Sequence, residues 1–495
     1  MAPRKPKERV ISPLNEEQLQ AVLATDGPLR VAACAGSGKT TMLVERFGFL
    51  VEEKRVDPER ILLVTFSSDA KTDMERRLKR RLPAVNLDRS VRTAHSIALE
   101  IFRAEHYGET WTIDPGGAIY RQIVTQVLGD NRVYHVFNEF LEFVDVVKQE
   151  VLGYHEYARA LGAVDKKMMD AAGRVPLEAE QTLKLFYEIE QHRHDGVEVA
   201  DHDFKVHPIS YDDMLYDAAM ALRVENTRHR WSSRFDYVMQ DETQDESAVQ
   251  RSVIESLASE SGNYCVVGDP AQSIYGFRGS RPEGILAFAD RWENAQTIKL
   301  TGNYRAADVI VHAANASLAA MPAETIVDLR MIAKRGADGV ITGSVFKDPV
   351  EEAWAIVRDM QATCQDDEWR DFAVLTRTNN ALGVFRSVLE HQKIPFRVEG
   401  QVSVPKGARN VVTLSTIHKA KGREWSCVYM PQLQSGTWRD YGLDEREERR
   451  VFYVALTRAR DRVHLSYSAT TESSANNKPC AFTKEIGVDM HGNLL

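Results

Sequence analysis

A glycine-rich segment near the start of the chain has residue types and a spacing suited to phosphate binding. It reads Val31-Ala-Ala-Cys-Ala-Gly-Ser-Gly-Lys-Thr-Thr41. Gly36 and Gly38 let the backbone approach an anion, so that successive N–H groups and a helix N-terminus can face a β-phosphate. Lys39 can then reach the β- and γ-phosphates, and the Thr40 hydroxyl can ligate Mg²⁺. The alternative is a chance glycine-rich turn with a solvated lysine.

A pair of carboxylates after a second hydrophobic segment could complete this chemistry. Phe235-Asp-Tyr-Val-Met-Gln240 runs directly into Asp241 and Glu242. In sites of this kind the first acid holds Mg²⁺, and the second orients and deprotonates the attacking water. Paired acids are common in surface loops, but not after a phosphate-binding loop. Asp269 and Gln272, which follow the next hydrophobic segment, are suited to sensing a γ-phosphate.

Other side chains near these segments could contact a base. Phe66 ends the hydrophobic run from Ile61, and Tyr275 and Phe277 follow Gln272. Aromatic rings stack on bases regardless of sequence, although ordinary packing is the better interpretation of each ring in isolation. Gln18 offers the donor and acceptor that a purine edge needs, although a surface glutamine is the simpler interpretation.

The elements that must position these residues alternate between strand and helix. Continuous apolar runs such as Ile61–Phe66 are typical of strands buried on both faces of a parallel sheet. The glycine-rich loop lies between such a strand and a helix. A second set of strands and helices begins near Leu300 and has no phosphate-binding loop. The sequence therefore predicts the α/β class, with two sheet-based units.

Residues 100–205, which interrupt the first of these units, have a different hydrophobic pattern from the rest of the chain. From about residue 100 to residue 205 the pattern is helical and amphipathic, with no strand signal, and Phe140, Val144 and Val147 recur at helical spacing. This predicts an inserted all-helical domain. Histidines between residues 191 and 207 could bind a metal, but without cysteines or regular spacing a solvated loop is the better interpretation.

Composition excludes several other classes. The chain has 495 residues, 43% of them hydrophobic, and a net charge of −9, which decides little about nucleic acid because a groove can be basic on an acidic protein. The five cysteines lack disulfide, zinc or iron–sulfur spacing, which indicates a reducing, cytoplasmic compartment. No signal peptide or membrane-spanning run is evident, so no membrane partner is expected.

We predict five segments from these patterns. They are a basic disordered tail over 1–12, a first α/β domain made of 13–99 and 206–290, the helical insertion over 100–205, a second α/β domain over 291–470, and a C-terminal tail over 471–495, in which residues 481–486 could add a short element.

The motifs, in this order, resemble those of superfamily 1 DNA helicases of the UvrD/Rep/PcrA kind. The resemblance runs from Leu14 to Tyr467. It is carried by the segments Leu14–Gln18, Ala33–Thr40, Thr65–Phe66, Thr93–Ser96, Asp241–Asp245, Gly268–Gly279, Asn303–Arg305, Thr416–Gly422 and Tyr453–Arg458. It implies two RecA-like P-loop domains with ATP in the cleft between them.

The resemblance also implies roles, residue by residue. The candidates for ATP binding are Gln18 at the adenine edge, Ala35, Gly36, Ser37, Gly38, Lys39, Thr40 and Thr41 in the loop, Tyr304 stacked on adenine, and Glu424 at the ribose. The magnesium candidates are Thr40 and Asp241. The catalytic candidates are Glu242, Gln272, and the arginine fingers Arg305 and Arg458 from the second domain. The candidates for contact with single-stranded DNA are Phe66, His95, Tyr275, Phe277, Arg377, Asn379 and His418.

The chain departs from the family pattern at two places. Cys34 replaces a usual glycine, where it could restrict the loop, react as a thiol, or be a buried and inert residue. Gly400 joins Asn410 through a short polar loop, where family members commonly carry a large helical insertion. We therefore predict that the second accessory domain is absent, leaving a motor that acts as a monomer or needs a protein activator.

The expected function is an ATP-dependent DNA helicase that moves 3′→5′ on single-stranded DNA and opens duplex at single-strand/duplex junctions. One alternative is a translocase that displaces bound proteins without efficient unwinding. Another is a non-catalytic nucleic-acid-binding scaffold, against which the intact Lys39, Asp241 and Glu242 argue.

Overall fold

The structure is a computed structural model that describes most of the chain. The described residues are 14–106, 111–114, 117–150, 166–196, 205–276, 279–323, 327, 329–364, 368–401, 410–439, 445–471 and 474–490. The predicted basic tail, Phe277 and most of the predicted short loop after Gly400 lie outside these residues.

The described strands build two larger parallel sheets and two small ones. The strands are β1 (Leu29–Ala33), β2 (Ile61–Thr65), β3 (Val91–Thr93), β4 (Trp111–Ile113), β5 (His207–Ile209), β6 (Tyr237–Gln240), β7 (Tyr264–Gly268), β8 (Gln296–Leu300), β9 (Gly302–Asn303), β10 (Ile332–Ala333), β11 (Val340–Phe346), β12 (Phe372–Thr376), β13 (Phe396–Val398), β14 (Val412–Thr416), β15 (Trp425–Met430) and β16 (Ala459–Ser468).

Each larger sheet is parallel throughout. The first has the order β3-β2-β6-β7-β1-β8, and the second has the order β11-β16-β15-β12-β14-β13. Because parallel strands end at the same edge, the segments that follow β1, β2, β6 and β7 meet along one side of the first sheet. The α/β class and the two RecA-like units predicted from the sequence are confirmed.

Helices cover both faces of the sheets. The described α-helices are Glu16–Leu23, Lys39–Glu52, Ser68–Arg81, Ala94–Glu105, Ala118–Asp130, Phe137–Gln149, Lys166–Ala172, Ala179–Asp195, Tyr211–Ala221, Glu225–Ser232, Ala248–Ala258, Glu283–Leu286, Phe288–Arg291, Asp308–Ala319, Pro349–Thr363, Leu382–His391, Ile417–Ala420, Ser435–Arg439, Glu445–Leu456 and Ala481–Glu485. Single 3₁₀ turns lie at Pro58–Arg60, Tyr134–Val136, Thr243–Asp245, Pro270–Gln272 and Trp369–Asp371. No helix of the described residues is long and apolar enough to cross a membrane.

The alternating side chains of β2 show why its sequence is apolar throughout. Ile61 and Leu63 enter a core with the helix Lys39–Glu52, whereas Leu62 and Val64 enter a second core on the opposite face. That second core continues without a break into the inserted helices, where Phe140 is buried. The insertion and the first sheet therefore share one hydrophobic core.

The core on one face of the second sheet reaches across to the first unit. Cys34 and Ile274 of the first unit pack in the same buried cluster as Ile417 and Tyr453 of the second. The two units thus meet at the segment that contains the glycine-rich loop. Any nucleotide bound there would lie at their junction.

The structure corrects two sequence predictions about strands. Residues 100–205 are not wholly helical, because β4 pairs with β5 in parallel; a three-residue strand is too short to give a periodic signal. Gln296–Leu300 belongs to the first sheet, where it pairs with β1, and not to the second domain, so the predicted boundary at 290 falls too early. At this sheet edge the strand is largely exposed, so it lacks the apolar run of a central strand.

Two segments predicted to be solvated or tail-like are packed. His194 and His207 lie with ring centroids 5.3 Å from Trp111, where the sequence suggested a solvated histidine loop. The residues after 470 also contribute to the core of the second unit, since Phe482 and Ile486 are 5% exposed. The apolar residues of these two segments are interspersed with polar ones and are too few to show a clear helical or strand period.

Candidate nucleotide-binding cleft

The glycine-rich loop has the conformation that its glycines make possible. Gly36 and Gly38 have φ angles of 71° and 81°, and Gly38 directly precedes the helix Lys39–Glu52. A Cβ atom at Gly38 would lie 2.6 Å from Gln18 Nε2, and one at Gly36 would lie 2.8 Å from Arg305 Cβ. The buried Ser37 hydroxyl has no hydrogen-bond partner among the described residues. Backbone N–H groups, a helix N-terminus and an unpartnered hydroxyl fit an anion.

Asn15 connects Gln18 with Tyr304 beside this loop, because it forms hydrogen bonds with both side chains. The Gln18 Nε2 donates to the Ser37 carbonyl at 2.8 Å, and its Oε1 accepts from the Asn15 N–H at 3.0 Å. The Asn15 Nδ2 donates to the Tyr304 hydroxyl at 2.7 Å, and Tyr304 is 45% exposed. The two predicted adenine contacts therefore lie on the same side of the loop.

Two carboxylates face Lys39 at the end of β6. The Lys39 Nζ lies 3.3 Å from Glu242 Oε2, and Glu242 has a φ of 52°, in the left-handed region. Burial alone would raise the pKa of Glu242, but the charges of Lys39 and Lys421 outweigh it and lower that pKa. Burial and the neighbouring Glu242 raise the pKa of Asp241 to about 7. The acids therefore differ in charge near neutral pH.

This difference predicts a pH dependence of magnesium binding. Asp241, if it ligates Mg²⁺ as the resemblance implies, would do so in its ionised form, so at a pH below about 7 the ion would have to displace a proton. We expect the Mg²⁺ concentration that half-saturates binding of a fluorescent ADP analogue to fall as pH rises through about 7, then level off. In the protein without Mg²⁺ the pH dependence of stability has the opposite sign. Asp241 is more easily protonated in the folded state, so its contribution to the free energy of unfolding is lost as pH rises from 3.8 to about 7.

Asp241→Asn is the control, because the nucleotide itself also titrates in this range. The variant keeps the shape of the side chain and removes its ionisation. The pH dependence that remains in the variant belongs to the nucleotide. An identical dependence in both proteins would contradict the prediction.

The second unit places two arginines against this cleft. The Arg458 Nη2 donates to Gln272 Oε1 at 3.0 Å, and the Gln272 Nε2 donates to Asp269 Oδ2 at 2.7 Å. The Arg305 Nη1 donates to the Thr457 carbonyl at 3.3 Å, and its Nε pairs with Glu424. The structure thus brings Arg305, Arg458, Gln272 and the loop together. Glu424, predicted at the ribose, holds Arg305 here.

Arg458 is a buried cation with little compensation. It is 2% exposed, and no carboxylate of the described residues forms an ion pair with it. Its partners are neutral acceptors, among them the Val454 carbonyl at 2.9 Å. Burial and the nearby Arg305 charge lower the pKa of Arg458 to about 9. Arg305 pairs with Glu424, whereas Arg458 has no carboxylate partner of this kind among the described residues, so its charge favours a nearby anion.

Three of the predicted DNA-contacting residues lie together at the junction of the units. The rings of Phe66 and Tyr275 stack with centroids 5.3 Å apart, and Tyr275 lies 6.2 Å from the His418 ring. The Tyr275 hydroxyl donates to the His418 carbonyl at 3.0 Å. Phe66 and Tyr275 follow strands of the first sheet, whereas His418 belongs to the second unit.

The other described candidates make contacts with different residues. His95 contacts the half-exposed Tyr211 edge to face at 5.8 Å. Arg377 forms a 2.6 Å ion pair with the buried Glu448, and Asn379 is exposed. Ring contacts among the described residues join Phe66, Tyr275 and His418 of the predicted DNA-contacting set.

Sequence reasoning gave no role to Asn303 or Lys421. The Asn303 Nδ2 donates to the Ala35 carbonyl at 2.8 Å, which joins the second unit to the glycine-rich loop. Lys421 forms a buried ion pair with Asp245 of the first unit. Both residues stand inside recognised motifs, but their partners are distant in sequence, so no local pattern could reveal the contacts.

Cys34 is a buried and inert residue. It is 1% exposed, and its Sγ donates to the Thr301 carbonyl at 3.5 Å. Burial raises the pKa of this thiol far above its usual range, so the reactive thiolate is suppressed. Of the alternatives open from the sequence, the structure supports simple packing.

Two parallel sheets, a phosphate-type loop on one and arginines from the other define a class of two-unit P-loop proteins. The family model described as UvrD/REP helicase N-terminal domain matches residues 14–293, and that described as UvrD-like helicase C-terminal domain matches residues 298–406 and 401–470. The chain belongs to the UvrD/REP helicase family.

Curated relatives share this similarity over most of the chain. YjcD of Bacillus subtilis is 32% identical over 406 residues, which are 78% of this chain and 49% of the relative. The ATP-dependent DNA helicase PcrA of Leuconostoc citreum is 28% identical over 404 residues, 79% of this chain and 50% of the relative. PcrA of Staphylococcus epidermidis is 27% identical over 400 residues, 79% of this chain and 51% of the relative. The chain thus spans about half the length of these relatives.

Proposed function

We propose that this chain is an ATP-dependent DNA helicase motor that hydrolyses ATP between its two units. The observation that carries this proposal is the Arg458–Gln272 hydrogen bond, because it places a guanidinium of the second unit at the cleft containing Lys39 and Glu242. The names of the PcrA relatives support the same activity.

The chain's own residues would divide the work at the ATP. The loop N–H groups and Lys39 would bind the β- and γ-phosphates, while Glu242 would orient and deprotonate the attacking water. Arg305 and Arg458 would stabilise negative charge on the transferring phosphoryl group. Thr40 and Asp241 offer the oxygen ligands that Mg²⁺ prefers, and a bound Mg²⁺ would neutralise charge on the β- and γ-phosphates.

Hydrolysis would then change how the units grip DNA. Arg305 and Arg458 would draw the units together on the bound phosphates, so the cleft would relax after phosphate is released. Phe66 and Tyr275 on one unit and His418 on the other would hold bases by stacking, at about 1–3 kcal/mol per base. Contacts of this strength can be broken and remade at each step. We propose 3′→5′ movement on single-stranded DNA by resemblance to the family.

The proposal includes a motor without a second accessory domain. β13 ends at Val398 and its parallel neighbour β14 begins at Val412, so little chain separates them. In the family the missing piece is associated with self-regulation and duplex contact. We propose that the motor acts as a monomer or with a protein activator, in the cytoplasm, where its five free cysteines stay reduced.

The test is ATP hydrolysis and strand displacement by the purified protein on 3′-tailed, 5′-tailed and blunt duplexes. A 3′→5′ helicase should show the greatest hydrolysis and displacement with the 3′ tail. Hydrolysis and translocation without displacement, even at enzyme excess, would leave the translocase alternative. Absence of DNA-stimulated hydrolysis would overturn the proposal and favour a scaffold.

A further inference from the structure

A buried ion pair crosses the junction between the two units. The Lys421 Nζ lies 2.7 Å from Asp245 Oδ1 and 2.5 Å from Asp245 Oδ2. The two side chains are 7% and 0% exposed. Asp245 follows β6 in the first unit, and Lys421 follows the helix Ile417–Ala420 in the second. We call Lys421 and Asp245 the cross-cleft pair.

On one side the cross-cleft pair touches residues of the candidate nucleotide site. The Lys421 Nζ also donates to the Gln272 carbonyl, and the Gln272 side chain receives the hydrogen bond from Arg458. Next to Asp245, the Gln244 Nε2 donates to Glu242 Oε2 at 2.5 Å. A single intervening residue, Gln244, therefore connects the pair with Glu242, and another, Gln272, connects it with Arg458.

On its other side the cross-cleft pair touches the candidate DNA surface. The Lys421 Nζ lies 5.3 Å from the centroid of the Tyr275 ring, within cation–π distance. Tyr275 stacks on Phe66 and donates to the carbonyl of His418, which is three residues before Lys421. One ammonium group thus contacts the segments that carry both the γ-phosphate candidate and the aromatic stack.

An ion pair in this position is better suited to fixing the relative position of the two units than to increasing the stability of the fold. Buried ion pairs recover little net free energy, because each charge first loses its hydration. The Coulomb attraction weakens steeply once separation admits water, so the pair favours one relative position of the units. Opening the cleft would separate the two charges and take Lys421 away from both the Gln272 carbonyl and the Tyr275 ring.

We propose that the cross-cleft pair is a positioning device that couples the nucleotide site to DNA binding. When the pair is formed, Lys421 of the second unit holds both Gln272 and the Tyr275–Phe66 stack of the first unit in one arrangement. Bound DNA would then favour the arrangement that hydrolyses ATP, and bound nucleotide would change the affinity for DNA. Coupling of this kind is reciprocal. The inference rests on the proposed function.

Three variants test it: Lys421→Met, Asp245→Asn and the double variant. The matched control is Arg423→Met, which removes a cation two residues away whose partner, Glu399, lies in the same unit. The measurements are kcat and KM for ATP, with and without saturating oligothymidylate. We expect the DNA-stimulated kcat of each variant to fall about 10-fold relative to its unstimulated kcat, and Arg423→Met to keep the ratio. The double variant should be no worse than the single ones.

A binding experiment separates positioning from loss of fold. The affinity for oligothymidylate is measured with and without a non-hydrolysable ATP analogue, and thermal unfolding is followed in parallel. In the unmodified protein the analogue should change the affinity; in the cross-cleft variants this change should vanish while both ligands still bind. If Lys421→Met does not fold, Asp245→Asn, which keeps a polar side chain of equal size, decides.

The outcomes distinguish the two proposals. Unmodified protein without DNA-stimulated hydrolysis would overturn the proposed function. A stimulated unmodified protein, with variants that keep both its stimulation ratio and its nucleotide-dependent affinity, would overturn only the coupling role of the cross-cleft pair.

Discussion

Replacing Lys39 by alanine is expected to lower the rate of ATP hydrolysis by about 1000-fold in the presence of single-stranded DNA. The Lys39 side chain is only 12% exposed, and its ammonium group lies at the start of the helix that follows the loop. Its loss removes the charge nearest to the β- and γ-phosphates. It also removes a charge that lowers the pKa of Glu242, so the proposed base would change as well. Steady-state hydrolysis measures the effect.

Lys54→Ala is the matched control for this experiment. Lys54 lies just beyond the far end of the same helix and is exposed, so its removal changes the net charge equally without touching the loop. The control should hydrolyse ATP at the unmodified rate. Equal rates for Lys39→Ala and the unmodified protein would refute the assignment of the loop.

The parts of the fold that were predicted correctly are those whose signal is local. β2 is apolar at every position because both of its faces are covered, and the glycine-rich loop is recognisable because its φ angles require glycine. β8 was misassigned because an edge strand has polar residues on its exposed side. The short element expected at residues 481–486 is the helix Ala481–Glu485, but its burial could not be predicted because it depends on a distant core.

The contacts of the candidate site also fall into those that the sequence could predict and those that it could not. The order of motifs was enough to place Lys39, Glu242, Gln272 and Arg458 in one cleft. The contacts of Lys421 with Asp245 and of Asn303 with Ala35 depend on how two separately folded sheets face each other. No pattern within either segment encodes that geometry, so these contacts appear only when both units are seen together.

Three polar contacts join the units near the loop. Asn303 reaches the Ala35 carbonyl, Gln272 reaches Arg458, and Lys421 reaches Asp245. Apolar side chains also cross the junction, since Cys34 and Ile274 pack in the core of the second sheet. Because polar contacts can be exchanged for water at low net cost, these three are compatible with the separation and closure of the units that we propose.

Replacing Arg458 by alanine is expected to lower kcat for ATP about 1000-fold while changing the KM for ATP far less. An arginine finger acts mainly on charge that develops in the transition state, so its loss affects kcat more than ground-state binding. The side chain is buried and donates to the carbonyls of Val454 and Arg423, which would each lose this donor. We therefore also expect destabilisation of about 1–3 kcal/mol, measured by thermal unfolding.

Two further variants show which of these effects is catalytic. Arg460→Ala is the control, since Arg460 lies two residues along the chain and bonds Asp371 and Ser426 away from the cleft. It should keep the unmodified kcat. Arg458→Lys keeps the charge but not the planar fork, so we expect only partial recovery of kcat. A loss of kcat in Arg458→Ala no greater than in Arg460→Ala would mean that the second unit gives no finger from this position.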